Sequence, residues 1–161
     1  MTSKNQNPRE LRIVIIGAGM AGILTAIKLR EAGYDDFVIY EKSNSVGGTW
    51  RENTYPGIAC DVPAHMYTYS FEPNPDWSST YAPGPEIHEY FKNAARKYEI
   101  VDKIRFNESV PFCEFIEGKW NIRTSTGRED KADFIIAATG VLHEPFVADI
   151  PGLNSFAGAC F

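Results

Sequence analysis

Three glycines and one acidic residue near the start of the chain have the types and the spacing that bind a dinucleotide. Gly17, Gly19 and Gly22 form a G-x-G-x-x-G pattern, and Glu41 follows about 20 residues later. Gly17 permits a tight turn, Gly19 lets the backbone approach a diphosphate, and Gly22 lets a helix pack closely on a strand. A carboxylate at Glu41 can accept a hydrogen bond from a ribose hydroxyl, and it disfavours a 2′-phosphate. These residues therefore predict a site for FAD or NAD rather than NADP.

The glycines and the acid need a strand, a helix and a second strand to position them. Residues 13–16 are a short apolar, β-branched run, typical of a strand buried on both faces of a parallel sheet. A helical pattern with Ile23, Ala26, Ile27 and Arg30 follows the glycines and stops at Gly33, so that its first N–H groups would face the phosphates. Residues 37–40 form a second apolar run that ends on the acid. The alternative for a glycine motif alone is a turn in an unrelated α/β protein, but the complete unit in this order favours dinucleotide binding.

Composition narrows the class of protein. The chain has 161 residues, of which 43% are hydrophobic and 23% charged, as is usual for a globular domain. The net charge of −5, without a basic cluster, argues against a nucleic-acid partner. Residues 1–10 are polar and lack the apolar centre of a signal peptide, so we expect a flexible N-terminal arm. Glycines and Lys28 interrupt the apolar stretch 11–29, which argues against a membrane span.

Cysteines and histidines do not form a metal-binding pattern. Cys60, Cys113 and Cys160 are far apart and include no C-x-x-C pair, which favours reduced thiols in a cytoplasmic protein over disulfides or a metal site. His65 and His88 lack nearby ligand partners, so the sequence predicts no metal and a structural or exposed place for both histidines.

Two adjacent glycines, Gly47 and Gly48, follow Glu41 and suggest that the backbone again runs close to a ligand. They are called the second glycine pair below, and Thr49 and Trp50 come directly after them. The indole could stack on or wall off a flat ring, and the alternative is an ordinary packed tryptophan. Farther on, prolines make residues 62–85 a loop, which we expect aromatic side chains to pin to the body: Tyr67, Tyr69, Phe71, Trp77 and Tyr81.

The rest of the chain predicts a helix, a third parallel strand, a meander and a closing strand. Apolar residues recur at helical spacing from Ile87 to Tyr98, after Pro85 at a first helical position. Residues 103–110 are interpreted as the third strand. Two turns, at 117–118 and 126–128, predict a small antiparallel meander with Trp120 and Ile122 facing inward. Residues 134–138 are then expected to form another buried strand.

Several sequence motifs resemble those of the Baeyer–Villiger monooxygenases, a family of flavin- and NADPH-dependent enzymes. The matching motifs are GAGMAG at 17–22, GGTW at 47–50, YPGIACD at 55–61 and YTYSF at 67–71. GGTW followed by YPG and CD is quite specific to this family. The resemblance implies an α/β, Rossmann-like FAD-binding three-layer fold with a parallel sheet and a small antiparallel meander, incomplete at its C-terminus. Residues 11–161 would then be the N-terminal portion of the FAD-binding domain, with the NADPH domain absent.

The resemblance also implies a set of FAD contacts along the glycine loop, the ribose, the flavin and the adenine: Gly17, Gly19, Met20, Ala21, Gly22, Glu41, Lys42, Gly48, Thr49, Trp50, Asp61, Tyr67, Val110, Ala138, Thr139 and Gly140. Asp61 is the candidate catalytic residue, because a carboxylate beside the isoalloxazine could orient a cation or tune the electrostatics of the flavin. The residues alone leave open that Asp61 only caps a turn. Likewise, Val110 is as well explained as a plain sheet residue.

The end of the chain resembles the start of the family fingerprint F-x-G-x-x-x-H, with Phe156 and Gly158 at its first two positions. The implied reaction uses NADPH and O₂ to insert an oxygen atom into a ketone, and the cofactor supplies the redox chemistry. We expect this chain alone to bind FAD weakly and to turn over no ketone. The alternatives are an N- or S-oxygenase of the related flavin group, or a non-catalytic nucleotide-binding module. An open sheet edge beside strand 134–138 predicts marginal stability or association.

Overall fold

The structure, a computed structural model, describes residues 11–144 and 146–159. Its helices and strands follow in the order β1 (Ile13–Ile16), α1 (Met20–Glu31), β2 (Phe37–Tyr40), α2 (Thr49–Glu52), α3 (Gly84–Lys97), β3 (Ile104–Arg105), β4 (Phe112–Ile116), β5 (Lys119–Arg123), β6 (Glu129–Ala132) and β7 (Phe134–Ala137). Short 3₁₀ turns lie at Ala64–Met66, Val101–Lys103 and Leu153–Ser155. The predicted strand–helix–strand unit at the start of the chain is therefore confirmed. The expected N-terminal arm, 1–10, and Cys160 lie outside the described residues.

Four strands form a parallel sheet in the order β3-β2-β1-β7. β1 lies inside this sheet, where Ile15 pairs with Ile39 of β2 on one side and Ile136 of β7 on the other. A connection that returns to a parallel neighbour must cross over the sheet, and α1 makes this crossing between β1 and β2. The carboxyl ends of β1, β2 and β7 consequently meet at one edge, where parallel α/β sheets form their binding crevice.

The parallel sheet is the middle of three layers. Side chains alternate along a strand, so Ile15 of β1 faces α1 and α3 while its neighbour Val14 faces the other way. On the helical side Ile15 belongs to one buried cluster with Ile23 of α1 and Phe91 of α3, which are both fully buried. On the opposite side Val14 belongs to a second buried cluster, which includes Ile122 of the antiparallel sheet β4-β5-β6. The predicted α/β three-layer fold with its antiparallel meander is confirmed.

A polar contact also joins the meander to the parallel sheet. The hydroxyl of Tyr40 donates to the Asp130 carboxylate at 2.8 Å, and Arg12 donates to the same carboxylate at 2.9 Å. Burial and this hydrogen bond to Asp130 raise the pKa of Tyr40 to about 12. The phenol therefore stays protonated at neutral pH and remains a donor to β6.

Two strand predictions need correction. β3 covers only Ile104–Arg105 instead of 103–110, because Asn107 has a positive φ of 56° and turns the chain away. Glu108 then donates its N–H to the Glu41 carbonyl at 2.9 Å. β7 is not buried: it is the last strand of the sheet, and Phe134 is 54% exposed. The open edge expected beside this strand is therefore present among the described residues.

The long proline-rich segment is a loop over residues 62–83, with one 3₁₀ turn and isolated β-bridges at Tyr69–Glu72 and at Pro83. The predicted end at 85 is two residues late, because α3 begins at Gly84 with Pro85 as its second residue. Tyr69 and Phe71 stack with ring centroids 5.3 Å apart, and Trp77 packs against Tyr90 of α3 at 5.5 Å. Tyr81 does not pin the loop, because its side chain is exposed.

Cys60 and Cys113 are free thiols. Across the described part of the chain, no helix is long and apolar enough to cross a membrane.

Candidate dinucleotide site

The glycine loop joins β1 to α1 through a turn that only glycine accommodates well at its first position. Gly17 has φ +101°, and its N–H donates to the Tyr40 carbonyl at 2.8 Å. A Cβ on Gly17 would lie 2.5 Å from the carbonyl oxygen of Ala138, which leads out of β7. A Cβ on Gly22 would collide with the Gly17 carbonyl oxygen. The first turn of α1 therefore lies directly on the carboxyl ends of β1 and β7.

The N-terminus of α1 has no side-chain cap. Gly19 is the N-cap residue and makes no side-chain hydrogen bond, and the first intrahelical bond runs from the Ile23 N–H to the Gly19 carbonyl. The N–H groups of Met20 and Ala21 precede that bond, so the helix itself provides no acceptor for them. Together with the helix dipole, these donors suit an anionic group.

Glu41 links the end of β2 to the glycine loop. Its side chain is only 4% exposed. One carboxylate oxygen accepts from the Ala18 N–H at 2.7 Å, and the other accepts from the Ser43 N–H at 2.9 Å. Each oxygen has a second lone pair, so the carboxylate can still accept from a ligand hydroxyl.

The second glycine pair packs against the first glycine loop. The Gly47 N–H donates to the Ala18 carbonyl at 3.0 Å. A Cβ on Gly48 would lie 3.0 Å from the Gly19 Cα, and Gly48 itself has φ +51°. Two bare stretches of backbone therefore face each other at the N-terminus of α1, and a side chain on Gly48 would force them apart.

Two aromatic residues form one wall of the site. The Trp50 indole N–H donates to the Tyr67 hydroxyl at 3.1 Å, and the rings meet edge to face with centroids 5.5 Å apart. Tyr67 in turn lies edge to face against the buried Phe91 of α3 at 6.5 Å. A hydrogen bond and two aromatic contacts thus fix the orientation of the indole.

Tyr69 is hydrogen-bonded to the first turn of α1. Its buried hydroxyl donates to the Met20 carbonyl at 2.6 Å, and its backbone N–H donates to the Tyr90 hydroxyl at 2.9 Å. Burial raises the pKa of Tyr69 well above its ordinary value, so the phenol remains a donor. The predicted role of Tyr69 in pinning the loop thus extends to the first turn of the helix.

These elements enclose one cavity of about 640 Å³, which is within the usual range for small-molecule sites. Its lining includes all but two of the predicted cofactor-binding residues: Gly17, Gly19, Met20, Ala21, Glu41, Lys42, Gly48, Thr49, Trp50, Tyr67, Val110, Ala138, Thr139 and Gly140. At the rim, the Lys42 ammonium lies 3.2 Å from a Glu52 carboxylate oxygen. Residues that are far apart in sequence, from β1 to the end of β7, therefore meet at one place.

Residues 15–83 match the family model described as NAD(P)-binding Rossmann-like domain. An uncharacterised monooxygenase of Mycobacterium tuberculosis (strain H37Rv) is 47% identical over 149 residues, covering 92% of this chain and 30% of the relative. A Baeyer–Villiger monooxygenase of Streptomyces coelicolor is 40% identical over 163 residues, covering 100% of this chain and 31% of the relative. A solved complex of OTEMO with FAD and NADP superposes with a TM-score of 0.82 at 33% identity, covering 94% of this chain and 29% of that one. The chain is a relative of the Baeyer–Villiger monooxygenases.

This chain spans about three tenths of the length of the curated relatives it matches. The sequence motifs that this chain shares with the family do not all reach the cavity. All four residues of the GGTW motif at 47–50 line the cavity, whereas no residue of the YPGIACD motif at 55–61 does so. The match to the Baeyer–Villiger monooxygenases therefore combines residues at the cavity with residues that lie outside it.

The two predicted residues outside the cavity lining have different surroundings. Gly22 is buried in α1 and faces the Gly17 carbonyl, so it acts by allowing close packing. Asp61 lies in a bend, its side chain is exposed, and it is not part of the lining. The structure thus leaves the predicted catalytic role of Asp61 without a contact to the cavity.

Gly47, which the sequence placed close to a ligand together with Gly48, also lines the cavity. Sequence reasoning missed a further set of residues that complete the lining: Ile16, Tyr40, Glu52, Ser109, Ala137, Val141, Leu142, His143 and Glu144. The last four follow directly on Gly140, where the chain leaves β7. A signal for them existed, because chain that emerges from the carboxyl end of a parallel strand enters the binding crevice. Tyr40 had a similar signal as the final residue of β2.

Proposed function

We propose that the cavity binds FAD, with its diphosphate against the first turn of α1 and its adenosine ribose at Glu41. The observation that carries this proposal is the hydrogen bond between Glu41 and the Ala18 N–H, which brings the acid and the glycine loop to the same wall. The N–H groups of Met20 and Ala21 supply donors for the diphosphate. The buried carboxylate of Glu41 disfavours a 2′-phosphate in the same position.

The residues of the site suit the parts of FAD. Gly19 and Gly48 present bare backbone, which allows close approach of a diphosphate. Val110 provides an apolar surface for the adenine, and Trp50 with Tyr67 provides a fixed aromatic wall for the flavin side. When bound, FAD would supply the redox chemistry, while these residues bind it, orient it and exclude water from one side.

We further propose that the chain is the FAD-binding part of a flavin-dependent monooxygenase that inserts an oxygen atom from O₂ into a ketone at the expense of NADPH. The name of the Streptomyces relative supports the reaction class, and the FAD and NADP in the OTEMO complex support the two cofactors. The chain alone is proposed to be inactive on ketones, since it spans about three tenths of its relatives.

Titration of the purified, cofactor-free protein with FAD tests the binding proposal. We expect FAD to bind more tightly than FMN, which lacks the adenosine, and more tightly than NADP, whose 2′-phosphate meets Glu41. Equal affinity for FAD and FMN would contradict the placement of the ribose.

NADPH oxidation should not rise when cyclohexanone is added, and ketone-dependent turnover would refute the proposed inactivity. In a protein extended to the length of the relatives, assays on ketones, amines and sulfides would separate ketone oxidation from N- or S-oxygenation.

The catalytic role of Asp61 stays a prediction that the same protein can test. In the FAD-bound protein, Asp61→Asn removes one negative charge, and we expect the visible absorption bands of the flavin to shift if the carboxylate lies beside it. An unchanged spectrum and an unchanged FAD affinity would instead assign Asp61 to the turn in which it lies.

A further inference from the structure

His88 of α3 lies against the second glycine pair although it does not line the cavity. Its Nε2 is 2.8 Å from the Val46 carbonyl oxygen. Since a carbonyl only accepts, Nε2 must carry the proton in this contact. The ring also fills the space beside Gly47, where a Cβ would lie 2.5 Å from its Cδ2. The imidazole therefore both binds and supports the backbone of residues 46–47.

This backbone leads directly to the predicted diphosphate site. Gly47 has φ +122° and donates its N–H to the Ala18 carbonyl. The next residue, Gly48, abuts Gly19 at the N-terminus of α1. Two consecutive glycines with positive φ have wide conformational freedom, so something outside the pair must hold them in one conformation. The Ala18 carbonyl holds one side of the pair, and His88 holds the other.

We propose that His88 is a positioning residue for cofactor binding: by donating to the Val46 carbonyl it fixes the Val46–Gly48 segment against the glycine loop. This inference rests on the proposed binding of FAD. Without the donor, the segment would have to become ordered when FAD binds, and the conformational entropy lost in this ordering would weaken the binding of FAD. The loss of one neutral hydrogen bond predicts a fall in FAD affinity of about 3- to 10-fold.

Three substitutions separate the donor from the bulk of the ring. His88→Gln carries an amide N–H at the same number of bonds from the backbone as Nε2, whereas His88→Asn is one atom too short to reach Val46. His88→Leu keeps an apolar side chain of intermediate size without any donor. His65→Leu is the matched control, because His65 is exposed and does not contact the glycine pair.

The dissociation constant of FAD and the free energy of unfolding are measured for each variant. We expect His88→Leu and His88→Asn to bind FAD more weakly, and His88→Gln and His65→Leu to bind as the parent does. If His88→Leu fails to fold, the comparison of Asn with Gln decides. Unchanged affinity in His88→Asn, or equal losses in Asn and Gln, would overturn the inference. Failure of the parent itself to bind FAD would instead refute the proposed function.

Discussion

The carboxylate of Glu41 accepts a hydrogen bond of 2.7 Å from the backbone N–H of Ala18, and so joins the end of β2 to the glycine loop that follows β1. Its other oxygen accepts from Ser43 at 2.9 Å. The same carboxylate thus shapes the loop on which the diphosphate would rest and faces the ribose that would be attached to it. Stability and cofactor affinity should consequently change together when Glu41 is altered.

Glu41→Gln is expected to lower both quantities. One of the two backbone donors, on Ala18 or Ser43, would then face an amide NH₂ group instead of a carboxylate oxygen. An unsatisfied buried donor costs about 1–3 kcal/mol in the free energy of unfolding, and the loss of a charged acceptor should weaken FAD binding by about 10-fold or more. Urea unfolding and FAD titration measure the two effects. Glu114→Gln, on the exposed strand β4, should change neither.

Gly22→Ala should destabilise the fold even though alanine normally favours a helix. The added methyl would collide with the Gly17 carbonyl oxygen, and only a shift of α1 away from the sheet could relieve the collision. We expect a loss of about 3 kcal/mol in the free energy of unfolding, the upper part of the usual range for overpacking. Gly33→Ala is the control: no atom of the described residues lies within 4 Å of its Cβ position, but its φ is +81°. That variant should lose only about 1–2 kcal/mol from the left-handed backbone. A neutral Gly22→Ala would contradict the close packing.

Glu108 should give the protein an acid-sensitive contact between the end of β3 and the meander. Its carboxylate accepts from the hydroxyls of Thr124 at 2.7 Å and Thr126 at 2.9 Å, and from Arg128 Nε at 3.0 Å. Burial alone would raise the pKa of Glu108, yet these three hydrogen bonds outweigh it and hold the pKa below the ordinary value of 4.5. The folded state therefore favours the charged form of this side chain.

A carboxylate with a lowered pKa contributes stability that is complete above its unfolded-state pKa and is lost as the pH falls through its folded-state pKa. We therefore expect Glu108→Gln to be less stable than the parent at neutral pH, with a difference that stays constant down to about pH 5 and shrinks below it. Urea unfolding at a series of pH values between neutral and 3 measures this difference. A gap that stays the same at all pH values would show that the charge of Glu108 has no part in stability.

The open edge at β7 should promote association. Phe134 is 54% exposed there, and no strand of the described residues pairs with the outer side of β7. Phe134→Lys places a charge on this edge and should reduce any concentration-dependent increase in mass, measured by sedimentation velocity. Glu114→Lys is the control, since it adds positive charge on β4 without removing an exposed aromatic ring. Equal masses for the parent and Phe134→Lys at all concentrations would exclude association through β7.

Local patterns explain why much of the fold could be predicted. The strand–glycine–helix–strand unit is specified by residues close together in sequence, and the boundaries of β1 and β2 were found because apolar runs end abruptly at Gly17 and Glu41. The hairpin turn at Glu117 and Gly118 was found because Gly118 interrupts an alternating segment, and its φ of 79° is one that glycine adopts without strain. The burial of β7 was predicted wrongly, since burial depends on which strand lies beside it rather than on its own apolar residues.

The sequence by itself determined the glycine loop, the acid at the end of β2 and the order of the elements, because each depends on the steric and hydrogen-bonding properties of neighbouring residues. Only the tertiary structure decided that Gly48 meets Gly19, that His88 supports this contact, and that Asp61 lies apart from the cavity. These relationships join residues that are distant along the chain. They follow from how α3 and the long loop pack on the sheet, and no local spacing encodes that packing.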